Sequence, residues 1–450
     1  MNERAVAVAA RPTRVRYVVL AWICSLSMLT YIDRVCIKEV RPAIQRSLTD
    51  ADGRPMSNED FAWVFSAFAL SYSLFEVPSG WLADRIGARK VLSRIVLCWS
   101  FFTAATGLAW NWFSLVLFRF LFGAGEAGAY PTSGRALRNW FSFRQRGLAQ
   151  GAPWIFGRWG GALAPMLIAA AAAWLGWRGA FILFGLVGVV WVVFFWWWFR
   201  DHPREHPGVN EAELLEIEEG RLTVDKPAPL AWGQALRSPT LWILCLMYFC
   251  SNAGWCLFIT WAMAAFAGVL HLDGWGLRSA AGAPLFFGGI ACGLGGLFTD
   301  RQVQVWGRRW GRTLQGAISY ALGGLFFLIA VTQTNPLLAV GALCLASFGK
   351  DFAMAASWST TIDIGHRYSG TIAGFMNMIG NLGTVFSPPI VAWLARISGT
   401  AESSNWKAAL YYSAAMFFVA SVCWLFINPR RVIVYSPEHY DRLKAEGALA

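Results

Sequence analysis

The chain has 450 residues, of which 56% are hydrophobic, 16% aromatic and only 14% charged. Soluble domains carry about 25% charged residues, so most of this chain has no water-facing surface. Intrinsic disorder, a disulfide scaffold and an ordinary soluble enzyme are thereby excluded. The net charge of +12 reads as basic loops orienting a membrane protein, because no basic stretch is interleaved with aromatics outside the apolar runs.

Arg11, Arg14 and Arg16 precede the first apolar run. That run is long enough to span and no cleavage site follows it, so it reads as an uncleaved helix and not a signal peptide. Apolar segments of spanning length, about 20 residues, recur twelve times. In the first half they are Tyr17–Glu39, Asp60–Leu82, Val91–Ala109, Trp112–Ser133, Gly147–Ala173 and Gly179–Phe199. In the second they are Pro239–Ala267, Ala280–Thr299, Thr313–Val331, Pro336–Thr361, Thr371–Leu394 and Lys407–Ile427. The predicted fold is an all-α membrane protein: six-helix bundles over 1–199 and 238–428, a linker over 200–237 and a tail over 429–450. An even number of spans puts both termini on one side. Arg and Lys are far more numerous in the segments on that side than opposite, which predicts cytoplasmic termini in the cell (inner) membrane.

The linker holds Asn210-Glu211-Ala212-Glu213, a start like a capping box, and Gly220 as a stop, so a short surface helix is expected. His202 and His206 are four apart, but Pro203 and Pro207 break any helix that would align them, and no metal site is expected there. The nine cysteines lie in apolar runs without a C-x-x-C pair and read as small buried hydrophobes. Gly80-Trp-Leu-Ala-Asp84-Arg85-Ile-Gly87-Ala-Arg89-Lys90 follows the second span, and Gly296-Leu-Phe-Thr-Asp300-Arg301 follows the eighth. Duplication of this kind is characteristic of carriers with a midplane site between halves.

Gly80–Lys90 resembles the loop motif G-x-x-x-D-R-x-G-R-[RK] of the major facilitator superfamily, with Ala88 in a variable place. Several further segments resemble its anion:cation symporter family, which includes bacterial hexuronate, galactonate and glucarate transporters and sialin. They are Tyr31-Ile-Asp33-Arg34, Arg119-Phe-Leu-Phe-Gly-Ala-Gly-Glu126-Ala, Arg204–Glu213, Trp255–Trp261 and Arg367–Asn381. The resemblance implies alternating access, with Asp33 and Glu126 carrying protons. Asp84, Arg85, Arg89, Asp300 and Arg301 are expected to form a conformational latch of charges at helix ends.

The charges stand apart from any family. A charged side chain at bilayer depth costs about 2.5–3.5 kcal/mol on insertion scales, so it faces a cavity or a partner. Asp33 and Arg34 lie in span one, Arg119 and Glu126 in span four, and Arg158 in span five. Arg119 and Glu126 are nearly two turns apart and share a face, so Arg119 is expected to balance Glu126. The surplus of guanidinium suits an acid group gripped by paired hydrogen bonds, with Arg34 as its holder and Arg158 able to tighten it. Tyr31, Tyr72, Trp358 and Asn377 are further ligand candidates, Trp358 by stacking on a sugar ring. Each also has a bland reading: core packing for Trp358, interhelical bonds for Asn377 and Asn381, and a structural or gating set for Lys350 and Asp351. Glu76 is left open between an extra titrating site and an Arg partner. Gly123–Gly128 fits G-x-G-x-x-G, but no strand precedes it and close helix packing accounts for it.

No Walker loop, G-x-S-x-G, H-E-x-x-H or zinc spacing is found, so neither an enzyme nor ATP-driven transport is expected. The expectation is a secondary active transporter using a proton and no cofactor, carrying a small organic anion such as a hexuronate, aldonate or aldarate. Sodium-coupled or exchange-type transport of phosphate or another organic anion is the alternative. The expected partners are the anionic substrate and the lipid bilayer, with no nucleic acid, and the carrier is expected to be monomeric.

Overall fold

The computed structural model describes residues 11–49, 53–142, 146–218, 232–365, 369–399 and 405–430. Among the described residues it is helical almost throughout, with a single extended bridge between Thr49 and Pro55. The first half contains α1 (Val15–Ser47), α2 (Asn58–Ile86), α3 (Ala88–Thr106), α4 (Trp112–Glu126), α5 (Ala129–Trp140) and α6 (Arg146–Trp198). The linker carries α7 (Glu211–Glu218), and α8 (Trp232–Ala235) leads into the second half. There follow α9 (Pro239–Thr260), α10 (Ala262–Leu270), α11 (Gly274–Thr332), α12 (Pro336–Phe352), α13 (Met354–Gly365), α14 (Ser369–Ile397) and α15 (Lys407–Phe426).

These elements make twelve crossings in two six-helix halves. α6 folds back on itself at Gly176 (φ 67°) and α11 at Gly307 (φ 73°), so each supplies two. Both turns need the left-handed region that glycine adopts without a Cβ penalty. The loop expected between Thr299 and Thr313 is instead helical up to the Gly307 turn.

Three predicted spans are broken. The fourth is not one helix over Trp112–Ser133: α4 ends at Glu126 and α5 starts after Gly128 (φ 87°). A side chain at Gly128 would stand 2.3 Å from Ser79 Cβ, so the break also lets α2 come close. The seventh span breaks at Trp261 and the tenth at Ala353. Such interruptions are tolerated at membrane depth where protein or a water-filled cavity meets the freed backbone groups.

Local sequence explains most helix starts. Ser57 and Asp60 form a reciprocal capping box on α2, and Asn111 and Ser114 do the same for α4. α1 is capped from a distance. Glu213 of α7, fully buried, accepts from the backbone N–H groups of Val15 and Arg16 at 3.1 Å each and from Thr13 Oγ1 at 2.6 Å. Asn210 caps α7 by accepting from Glu213 N at 2.9 Å and also accepts from Thr13 N. The predicted linker helix is thus present, pinned to the first half; its expected stop at Gly220 lies outside the described residues.

In the first half α1 packs on α6, α2 on α4, and α3 on both α4 and α6. In the second, α9 packs on α14 and α15, and α11 on α12 and α15. The halves meet along α2–α14 and α6–α11. Trp174 (92% exposed), Leu337 (79%) and Trp197 (74%) stand on the perimeter, where lipid takes the place of water. All nine cysteines are free, seven of them buried and Cys98 and Cys292 half-buried.

Candidate functional site

Counting 1.5 Å per residue, Tyr72 and Glu126 lie roughly 21 Å from the ends of α2 and α4 opposite the termini, and Arg158 roughly 18 Å from the other end of α6. These residues therefore meet near mid-depth. The fold brings the charges together in two groups.

The first group is centred on Arg34 of α1. Its Nε donates to Glu126 Oε1 at 2.5 Å, and its Nη2 pairs with the same oxygen. The guanidinium stands over Tyr72 at 4.6 Å, Phe68 at 5.4 Å and Tyr31 at 5.5 Å from the ring centroids. Glu126 is fully buried, whereas the Arg34 side chain keeps 17% exposure. Glu126 Oε2 has no hydrogen-bond partner among the described residues. Glu126 ends α4 just before the Gly128 break, which leaves its side chain free to reach across to α1. Its hydrogen-bonded partner is therefore Arg34, and Arg119 acts on it electrostatically. Arg119 lies between the rings of Phe122 (4.4 Å) and Phe68 (5.1 Å) and interacts electrostatically with both Glu126 and Asp33. Asp33 is buried, as is Arg119.

The second group joins the halves. Arg158 of α6 grips Asp351 of α12 with two parallel bonds, Nε to Oδ2 and Nη2 to Oδ1, both 2.8 Å. Arg158 Nη1 also donates to the Tyr31 hydroxyl. Lys350 Nζ donates to Asp351 Oδ1 at 3.1 Å. Both cations lie over one ring, Trp255 of α9, at 4.3 Å for Arg158 and 4.7 Å for Lys350. All three charged side chains are buried. Gly288 makes the fit possible, since a Cβ there would stand 2.2 Å from Asp351 Oδ2.

The remaining ligand candidates lie around these groups. Glu76 of α2 accepts from Asn377 Nδ2 at 2.6 Å and Asn381 Nδ2 at 3.4 Å, so two amides of α14 and a buried carboxylate also tie the halves. Trp358 donates from Nε1 to the Tyr248 hydroxyl at 3.2 Å, and its ring is 5.6 Å from Trp154, which stacks on Tyr130 at 4.5 Å. Tyr130, Trp154 and Tyr248 were not singled out from the sequence; in a chain this rich in aromatics nothing distinguishes them before the helices are placed.

On the side opposite the termini several contacts join the halves. Arg278 pairs with Glu39 at 2.6 Å and Arg396 with Glu59 at 2.6 Å. Lys38 Nζ donates to Phe258 O at 2.8 Å and Ser66 Oγ to Val385 O at 2.6 Å. Lys38 is buried in this contact and does not snorkel. At the other end, Arg89 donates to Trp196 O and stands over the Trp196 ring, while its backbone N–H bonds Asp201 Oδ1 at 2.9 Å. Arg85 and Arg301 are exposed. The side chains of Asp84 and Asp300 lie outside the described ones.

Twelve crossings in two halves around buried charges define a membrane carrier. Residues 23–388 match the Major Facilitator Superfamily. The chain is 32% identical to the probable sulfoacetate transporter SauU of Cupriavidus necator, over 92% of this chain and 94% of that one. It is 28% identical to the probable galactarate/D-glucarate transporter GarP of Escherichia coli K12, over 92% and 94%. A bacterial homolog of the human lysosomal transporter Spinster, crystallised inward-facing and occupied, shares the fold with a TM-score of 0.71 at 17% identity, over 94% of this chain and 99% of that one. The chain belongs to the Major Facilitator Superfamily and is an integral membrane transporter, not an enzyme.

Proposed function

We propose that this transporter is a proton-coupled symporter of a small organic acid, working by alternating access between its two halves. The observation that carries the proposal is the pairing of half-buried Arg34 with fully buried Glu126 inside the box of Tyr31, Phe68 and Tyr72. A single guanidinium serves both the internal carboxylate and the incoming acid. When an anion engages Arg34, Glu126 loses its counter-charge in a medium of low polarity and takes up a proton. Anion and proton then load together. Asp33, beside Arg119, is the second proton carrier. Tyr72, Trp358 and Asn377 shape the site for the body of the substrate, and Arg158 tightens the grip. The substrates in the relatives' names, sulfoacetate and galactarate or D-glucarate, support a small acid. The excess of Arg and Lys on the terminal side supports cytoplasmic termini in the cell's inner membrane.

The test is uptake into proteoliposomes under an imposed pH gradient. Wild-type protein is expected to accumulate acid uphill, and Asp33→Asn and Glu126→Gln are expected to equilibrate it only. Uphill accumulation by both variants, or accumulation by the wild type that follows sodium and ignores pH, overturns the coupling assignment.

A further inference from the structure

We propose that the substrate is a short dianion, bound with one acid group on Arg34 and the other on Arg158 and Lys350. This rests on the anion-symport reading above and narrows it to a chemical class.

The geometry is that of a two-ended site. The Arg34 and Arg158 guanidinium groups lie 5.5 Å and 5.3 Å from the centroid of the same Tyr31 ring, so they stand at most about 11 Å apart. The acid groups of a short two-ended carbon chain are separated by less than that limit. The two ends are not equivalent. Arg34 is matched by one carboxylate, Glu126, whereas Arg158 and Lys350 share the single carboxylate of Asp351. The second end thus holds one surplus positive charge, fully buried, offset by the faces of Trp255 and Tyr31 and by the Tyr31 hydroxyl oxygen. A ring face does this weakly compared with an anion. Unspent donors stand close by: the Tyr130 hydroxyl and the Trp255 indole N–H are buried and have no partner among the described residues.

The overall charge agrees. Arg34, Arg119, Arg158 and Lys350 face Asp33, Glu76, Glu126 and Asp351. With Asp33 and Glu126 protonated, four cations face two carboxylates, and the two freed charges match a dianion. A monoanion would leave one cation uncompensated at mid-membrane, which is costly. The second end also spans both halves, so a dianion there draws Arg158 of the first half and Lys350 of the second onto one ligand.

The experiment compares acids that differ by a single acid group, galactarate against galactonate and sulfoacetate against glycolate, in proteoliposome uptake. The wild type is expected to favour the dianion of each pair by about ten-fold or more. Arg158→Gln and Lys350→Met are each expected to lower dianion uptake about ten-fold more than monoanion uptake. Either variant leaves Asp351 a cation and so is milder than neutralising Asp351 itself, and the wild-type comparison needs no variant. Equal transport of both members of each pair by the wild type, or equal losses for both in the variants, overturns the dianion assignment and leaves anion symport standing. Transport of none of the four acids by the wild type overturns the anion-symport reading itself.

Discussion

Asp351→Asn is the perturbation from which the structure derives the largest effect. Asp351 is 0% exposed and accepts three charge-assisted bonds, two from Arg158 at 2.8 Å and one from Lys350 at 3.1 Å. Its neutralisation leaves two buried cations facing each other over Trp255. Breaking a buried pair costs about 3–5 kcal/mol, most of it the unpaired charge left behind, and here two charges are left. The upper end of that range is expected. Arg158→Gln is milder, about 2–3 kcal/mol, because Asp351 keeps Lys350. Thermal unfolding in detergent, followed by tryptophan fluorescence, is then expected to rank Asp351→Asn lowest, the two cation variants next and the wild type highest. Combining Asp351→Asn with Arg158→Gln removes one of the two stranded cations, so the double variant is expected to melt above Asp351→Asn alone. A double variant no more stable than Asp351→Asn, or Asp351→Asn as stable as the wild type, refutes the charge accounting.

Glu213→Ala removes a buried acceptor from two backbone donors and Thr13; a loss of about 2–3 kcal/mol is expected, read as faster hydrogen exchange at Val15 and Arg16. Arg34→Lys keeps a charge beside Glu126 but loses the planar fork, so uptake is expected to fall by about ten-fold or more while the protein stays monodisperse. His206 sits between Trp140 and Trp198, and burial, then the Arg200 guanidinium, hold its pKa below the ordinary histidine value against the pull of Glu213. Its neutral form is the folded one, so the stability linked to it is full above an unfolded-state value near 6.5 and is lost as pH falls below that. A melting profile between about pH 7 and pH 5 is expected to slope down for the wild type and to flatten in His206→Phe.

The spans were legible because an apolar run of membrane length has few alternative readings. The charged residues within them were legible as site candidates for the same reason: each needs a partner or a cavity. The partners themselves were not. Spacing tells which residues share the face of one helix, as with Arg119 and Glu126, but not how neighbouring helices are rotated. Glu126 reaches Arg34 because the helix stops at Gly128, and a glycine among small residues reads equally well as close packing. The bond between Arg158 and Asp351 joins halves nearly two hundred positions apart, and sequence spacing carries no information over that range. The amides of Asn377 and Asn381 were weighed between substrate and helix contacts; in this state they serve Glu76.

The contact between Arg396 and Glu59 differs from the buried ties in one respect. Its side chains are 64% and 35% exposed, against 1% and 0% for Arg158 and Asp351. At physiological ionic strength mobile ions screen charges over about 8 Å, and they reach the first pair but not the second. Electrolyte bathing the face opposite the termini is therefore expected to weaken that clasp while leaving the Arg158–Asp351 tie intact.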